Sequence, residues 1–342
     1  MKLFKKIVPA IFLSVTIMTS LGATDDFVPS DNKNLAVVYT LENKDIVFDK
    51  AFFDFTVKPL EKIGFFLSDP HHNVNNVYEE LLGQTSLGQL SFSSLVNDEK
   101  ARPLFNKDPR IGGFTPFNLV IYRKKSDEKT VITHITPEAA LDILHITDKD
   151  VREQYIAMYK PLDEAIEKEY GASAKKSHTK IQGYAKKNMM NFEIPFEKPE
   201  DIDEFFEKFQ EKFETTFQTK GYIIAGFYDM KYSLNSKEDV LPMYSNFVVW
   251  SLCHIPFSYT IFDGKDPLPE AAVFAPCSIY AYVKAGENKI VIGMPTLNAW
   301  AAALGITDKE KLQKIEELDT EIPSLIRSLG GVDVSNENPL TK

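Results

Sequence analysis

A chain of 342 residues with 44% hydrophobic and 26% charged residues has the composition of a globular protein long enough for two domains, each able to bury its own core. Its formal net charge of -10 argues against phosphate backbones or anionic lipid heads as partners, so no nucleic acid is expected. Aromatic residues, at 12%, are on the rich side.

The first two dozen residues are predicted to lie outside the fold. Lys2, Lys5 and Lys6 precede an apolar stretch from Ile7 to Leu21, and Ser20-Leu21-Gly22-Ala23 offers small residues for cleavage. This predicts a signal peptide over residues 1–23. Its loss removes three lysines and no acids, taking the charge to -13. A retained anchor is the alternative, although the run is shorter than the ~20 residues that span a bilayer. A periplasmic or secreted protein is expected, with no stable membrane insertion after cleavage.

In chain order, Leu35 to Tyr39 reads as a strand. Phe48 to Ile63 repeats apolar residues at helical spacing, with Pro59 as a break or kink and Gly64 as a stop. Leu119 to Tyr122 and Lys129 to Ile132 predict a hairpin. A helix follows Ile146-Thr147-Asp148-Lys149, capped by Thr147 or Asp148. Small, polar and basic residues between Tyr170 and His178 predict a linker over 171–180.

Met189 to Phe196 then reads as a strand, and Pro199-Glu200-Asp201 opens an amphipathic helix carrying Phe205, Phe206, Phe209, Phe213 and Phe217. That stripe is read as core rather than as a cofactor box. Tyr222 to Tyr232 and Asn246 to Leu252 follow as strands. Ile279 to Val283 and Lys289 to Ile292 form a second hairpin across Gly286-Glu287-Asn288. A helix capped by Thr307 or Asp308 ends the order, and residues 331–342 are expected to be a flexible tail.

The chain also repeats itself. Phe114-Thr115-Pro116 through Asp148-Lys149 aligns without a gap on Phe274-Ala275-Pro276 through Asp308-Lys309, about 160 positions on. Upstream, Leu95 to Phe105 lies on Leu252 to Phe262, and Asp108-Pro109 is set against Asp266-Pro267. Solenoid periods run to only about 50 residues, so a period this long predicts duplicated domains, over 30–170 and 181–330. The expected class is α+β, an antiparallel sheet with helices on one face, the two copies packed about a pseudo-twofold axis.

Asn97-Asp98-Glu99-Lys100-Ala101-Arg102-Pro103-Leu104-Phe105, Asp108-Pro109-Arg110 and Phe117-Asn118-Leu119-Val120-Ile121-Tyr122 resemble domain-of-unknown-function family 302. Cys253-His254-Ile255-Pro256, Asp266-Pro267 and Pro276-Cys277-Ser278-Ile279-Tyr280-Ala281-Tyr282 carry the likeness into the second half. The resemblance implies a TATA-binding-protein-like arrangement of one sheet and two helices, and no settled chemistry. Cysteines at those two places look like those of some members. An Arg-His-Gly stretch of many members is replaced by Leu144-His145-Ile146 and Leu304-Gly305-Ile306, so no histidine role is carried over.

Candidate site residues lie where the halves differ. His134 meets Met294 at the aligned position, a soft-ligand pair suited to haem iron or a soft metal ion if the axis brings them together. Cys253 and Cys277, which meet Val96 and Phe117, permit a disulfide, buried free thiols or a thiol site. His254 adjoins Cys253, but neighbours on a strand point to opposite faces. His71-His72 is read as a solvated loop pair. No phosphate loop, nucleophile elbow or paired metal carboxylates appear. The leading expectation is a non-enzymatic ligand-binding or accessory protein with an unknown small molecule or periplasmic protein as partner, the ligand between the domains. A metal- or haem-binding protein and a thiol-dependent enzyme are the alternatives.

Overall fold

A computed structural model of the chain describes residues 27–29, 32–42, 59–231 and 241–335. The signal expected over 1–23, residues 48–58 of the first predicted helix and residues 336–342 of the tail lie outside the described residues. The strands build two six-stranded antiparallel sheets whose central members are buried almost throughout. The first joins β2 (Asn34–Leu41), β3 (Phe66–His71), β4 (Leu87–Val96), β5 (Phe117–Lys124), β6 (Thr130–Ile135) and β7 (Ala174–Lys180) in the order β3-β4-β5-β6-β2-β7. The second joins β9 (Met189–Pro195), β10 (Ile223–Asp229), β11 (Tyr244–Cys253), β12 (Cys277–Lys284), β13 (Lys289–Pro295) and β14 (Val332–Asp333) in the order β10-β11-β12-β13-β9-β14. Read in chain order within each half, the two arrangements coincide. A two-stranded ribbon of β1 (Phe27–Pro29) and β8 (Gly183–Ala185) ties the start of the described chain to the crossing between halves.

The helices are α1 (Val74–Leu82), α2 (Asp98–Phe105), α3 (Pro137–Ile143), α4 (Lys149–Tyr170), α5 (Ile202–Gln218), α6 (Ile255–Phe262), α7 (Leu297–Leu304) and α8 (Lys309–Ser328). The fold is thus α+β, with two sheet-plus-helix units. Of the two candidate caps, the aspartates start the long helices: Asp148 accepts from the Val151 N–H at 2.9 Å and Asp308 from the Lys311 N–H at 3.0 Å. Thr136 and Thr296 cap α3 and α7 in the same way. The phenylalanine stripe of α5 buries Phe206, Phe209, Phe213 and Phe217, and Phe213 stacks on Trp250 of β11 at 4.2 Å. Each such ring contributes roughly 1.5–3 kcal/mol by burial.

Four expectations change. Residues 171–180 hold an edge strand: β7 pairs with β2 from Asn34↔Lys180 to Leu41↔Ala174, because a polar, basic sequence suits a solvated sheet edge. The tail begins with β14, which pairs with β9 as β7 does with β2. His71 closes β3 with its ring 5.2 Å from Phe92, and α1 follows it directly. Asp108-Pro109 opens a 3₁₀ helix over Pro109–Phe114, whereas its counterpart in the second half opens at Leu268-Pro269 and covers Pro269–Phe274, so Asp266-Pro267 is not the equivalent turn.

The two units are joined by a packed interface. Strand β5 lies against the second 3₁₀ helix and β12 against the first. Phe114 meets Phe274 at 6.1 Å and Phe105 meets Phe247 at 4.8 Å. A Cβ at Gly112 would stand 2.9 Å from the Tyr280 side chain, so this backbone approach requires glycine. Tyr78 donates to Ser258 Oγ at 3.0 Å, Tyr244 to the Phe105 carbonyl at 2.7 Å, and the Ser86 N–H to Asp263 at 2.6 Å.

Candidate functional site

A cleft of about 480 Å³ opens in the first unit between α4 and the β2–β7 edge of the sheet. Helix periodicity builds one wall: Arg152, Ile156, Tyr159 and Asp163 fall at spacings of four, three and four residues and so share a face of α4. Val37 of β2 and His178 of β7, directly paired across the sheet, line the other side. Lys33, Thr136, Glu138, Asp142 and Lys160 complete the rim.

Beneath the cleft lies a buried polar relay. His134 pairs with Val37 in register and is wholly buried, with Nδ1 2.8 Å from the Ile135 carbonyl and Nε2 3.1 Å from Asp163 Oδ1. Tyr39 donates to the same oxygen at 3.0 Å. Burial pushes the Asp163 carboxyl up, but the hydrogen bond and charge of His134, the Tyr39 hydrogen bond and the Lys176 ammonium outweigh it and hold the group below the usual carboxylate range. The Asp163 side chain remains 27% exposed, toward the cleft it lines. At the other end, Asp142 accepts from Lys33 at 2.8 Å and Tyr184 at 3.1 Å and pairs with Arg152 at 2.9 Å.

This geometry redefines His134. Both ring nitrogens are engaged with oxygens inside the first unit, Nδ1 with the Ile135 carbonyl and Nε2 with Asp163. Met294 instead lines a cavity of about 10 Å³ with Gly113, Phe114, Phe274, Cys277 and Trp300, and His134 is not part of that wall. Among the described residues no cluster of three or more His, Cys, Asp or Glu side chains forms a metal site.

Cys253 and Cys277 are free thiols, so the disulfide the sequence permits is not formed. Cys277 pairs with Leu252, Cys253 is the next residue at the end of β11, and both thiols line one small cavity. Cys253 meets Ser258 and Tyr78, while Cys277 is influenced by Cys253 and then Asp319 and acts on Tyr222. Burial pushes the Cys253 thiol up to about 11 and the Cys277 thiol higher still. His254 is the N-cap of α6, its Nδ1 accepting the Phe257 N–H at 3.3 Å. Burial lowers its basicity, opposed by Glu321. The cavity bounded by Tyr78, Cys253, Cys277 and Trp300 measures about 20 Å³, so the interface that was expected to hold a ligand is close-packed there.

Sequence reasoning singled out His134 but missed Tyr39, Asp142, Arg152, Asp163 and His178. The available signal was inequality between the halves: Asp163 falls on Pro323 and Asp142 on Ala302 at the repeat offset.

Among known proteins, residues 84–168 match the family described as Domain of unknown function DUF302. A similar solved structure is the crystal structure of an uncharacterized conserved DUF302 protein from Bacillus stearothermophilus, 18% identical over 38% of this chain and 95% of that one, with a TM-score of 0.33. No curated protein matches the chain. No helix among the described residues is long and apolar enough to cross a membrane.

Proposed function

We propose that the chain is a secreted or periplasmic, non-enzymatic binding protein whose small polar ligand occupies the cleft between α4 and the β2–β7 edge. The observation that carries this reading is the cleft itself: about 480 Å³, within the range of small-molecule sites, with a polar rim, an apolar panel of Val37, Ile156 and Tyr159, and an ionised carboxylate held from below by His134 and Tyr39. The relay fixes the orientation of Asp163 before a ligand arrives, which lowers the ordering cost of binding. Secretion is supported by the basic and apolar residues before Ala23. A duplication of one TATA-binding-protein-like domain about a pseudo-twofold axis is supported by the shared strand order and by the reciprocal packing of β5 and β12 on the 3₁₀ helices. The ligand site would then belong to one copy alone.

The test is a thermal-shift screen of small polar metabolites on the chain and on Ile156→Trp, which fills the cleft. Ligands that raise the melting temperature of the parent and not of the variant are expected; ligands that raise both equally would place binding elsewhere.

A further inference from the structure

The cleft has two chemically opposite ends. At one, Asp163 Oδ1 already accepts from His134 and Tyr39, while Oδ2 accepts no hydrogen bond from the described residues and belongs to a side chain 27% exposed. This oxygen is a ready acceptor for a charged N–H donor. At the other end a single carboxylate, Asp142, carries two cations, Lys33 and Arg152, together with the Tyr184 hydroxyl. One positive charge is left over there. The Arg152 side chain is 26% exposed and that of Lys33 48%, so both are open to a ligand.

The separation of the ends follows from α4. Arg152 and Asp163 are eleven residues apart, close to three turns, so they lie on one face with about 16 Å of helix between them. Ile156 and Tyr159 form the uncharged middle of that face. An extended chain advances ~3.3–3.6 Å per residue, and side-chain reach shortens the span from both ends, which leaves room for roughly three or four residues.

We infer that the cleft takes a short peptide with free termini, its ammonium end on Asp163 and its carboxylate end at Lys33 and Arg152. This rests on the ligand-binding reading above and adds to it the class of ligand. Lys160, Glu138 and His178 stand at the rim between the poles and tolerate polar side chains of the guest.

Calorimetric titration of the full chain with trialanine and tetraalanine, each also in N-acetylated and C-amidated form, tests this. Blocking either end is expected to weaken binding at least tenfold. Asp163→Asn should weaken the free peptide by the same factor and leave the N-acetylated peptide unaffected, a comparison that stays readable even where the variant loses stability. Binding indifferent to either block, or no binding of these peptides, overturns the inference. If another class of ligand from the thermal screen then binds in a manner abolished by Ile156→Trp, the cleft remains the site and only the peptide assignment falls.

Discussion

In the first unit Phe117 stacks on Tyr159 at 4.3 Å, with Phe65 at 6.0 Å and His134 at 6.2 Å, whereas the aligned places beneath the long helix of the second unit hold Cys277, Asp319, Tyr222 and Met294. Rings fill the first space and leave Asp163 at the edge of a cleft. In the second the acid turns inward: Asp319 accepts the Leu297 and Asn298 N–H groups at 2.8 Å and anchors α7, while Cys277 borders small cavities of about 20 and 10 Å³ between the units. The same framework therefore directs a carboxylate to solvent in one unit and to a helix end in the other. Position within the frame, rather than residue type, decides which acid faces solvent.

The comparison can be broken most directly in the cores. Phe117→Ala removes a buried ring stacked between sheet and helix and is expected to cost about 3–5 kcal/mol, while Cys277→Ala, losing one sulfur beside an existing cavity, is expected to cost about 1 kcal/mol. Urea unfolding of the two variants measures both. Equal losses would mean that the two spaces are equally well filled.

A smaller effect separates the acids. Burial pushes the Asp319 carboxyl up to about 6, against an ordinary value near 3.8, so between those values the folded chain keeps a proton that the unfolded chain releases. This group's contribution to stability therefore falls as pH rises from about 4 to 6, by roughly 2–3 kcal/mol, and is constant above that window. Asp163, held below its ordinary value, contributes stability at neutral pH that is lost on acidification through its folded value. Stability curves of Asp319→Asn should lose the fall between pH 4 and 6; a parent curve already flat there would show that the carboxyl is not buried as described.

The smallest effect is kinetic. With the Cys253 thiol pushed up to about 11 and Cys277 higher, both are expected to react with an aromatic disulfide reagent at pH 8 roughly a hundredfold or more slower than in the unfolded chain. Rapid labelling of one thiol in the native protein would mark an open face in the second unit that the first lacks.

Much of the fold was legible locally. Hairpin strands, the phenylalanine helix and the aspartate caps follow from periods of 2 and 3.6 residues and from short side chains that satisfy free N–H groups, all of which act within a few positions. The edge strand β7 was not legible, because Ala174–Lys180 lacks an apolar face and gains its hydrogen bonds only from β2. Helix α1 was missed for a related reason: its buried residues, Asn75 and Tyr78, include an amide that hydrogen-bonds β4, and its N-cap Asn73 makes no side-chain cap bond.

By itself the sequence determined the class of the fold, the hairpin and closing helix of each half and the places where the halves differ, since patterning and aligned residues are properties of the chain. Only the tertiary structure decided what those unequal places do. Tyr39 and His134 reach Asp163 across 124 and 29 residues, and strand register sets Cys277 opposite Leu252. Such contacts are set by how sheets and helices close on one another, and that closure places the His134 ring against the Asp163 carboxylate.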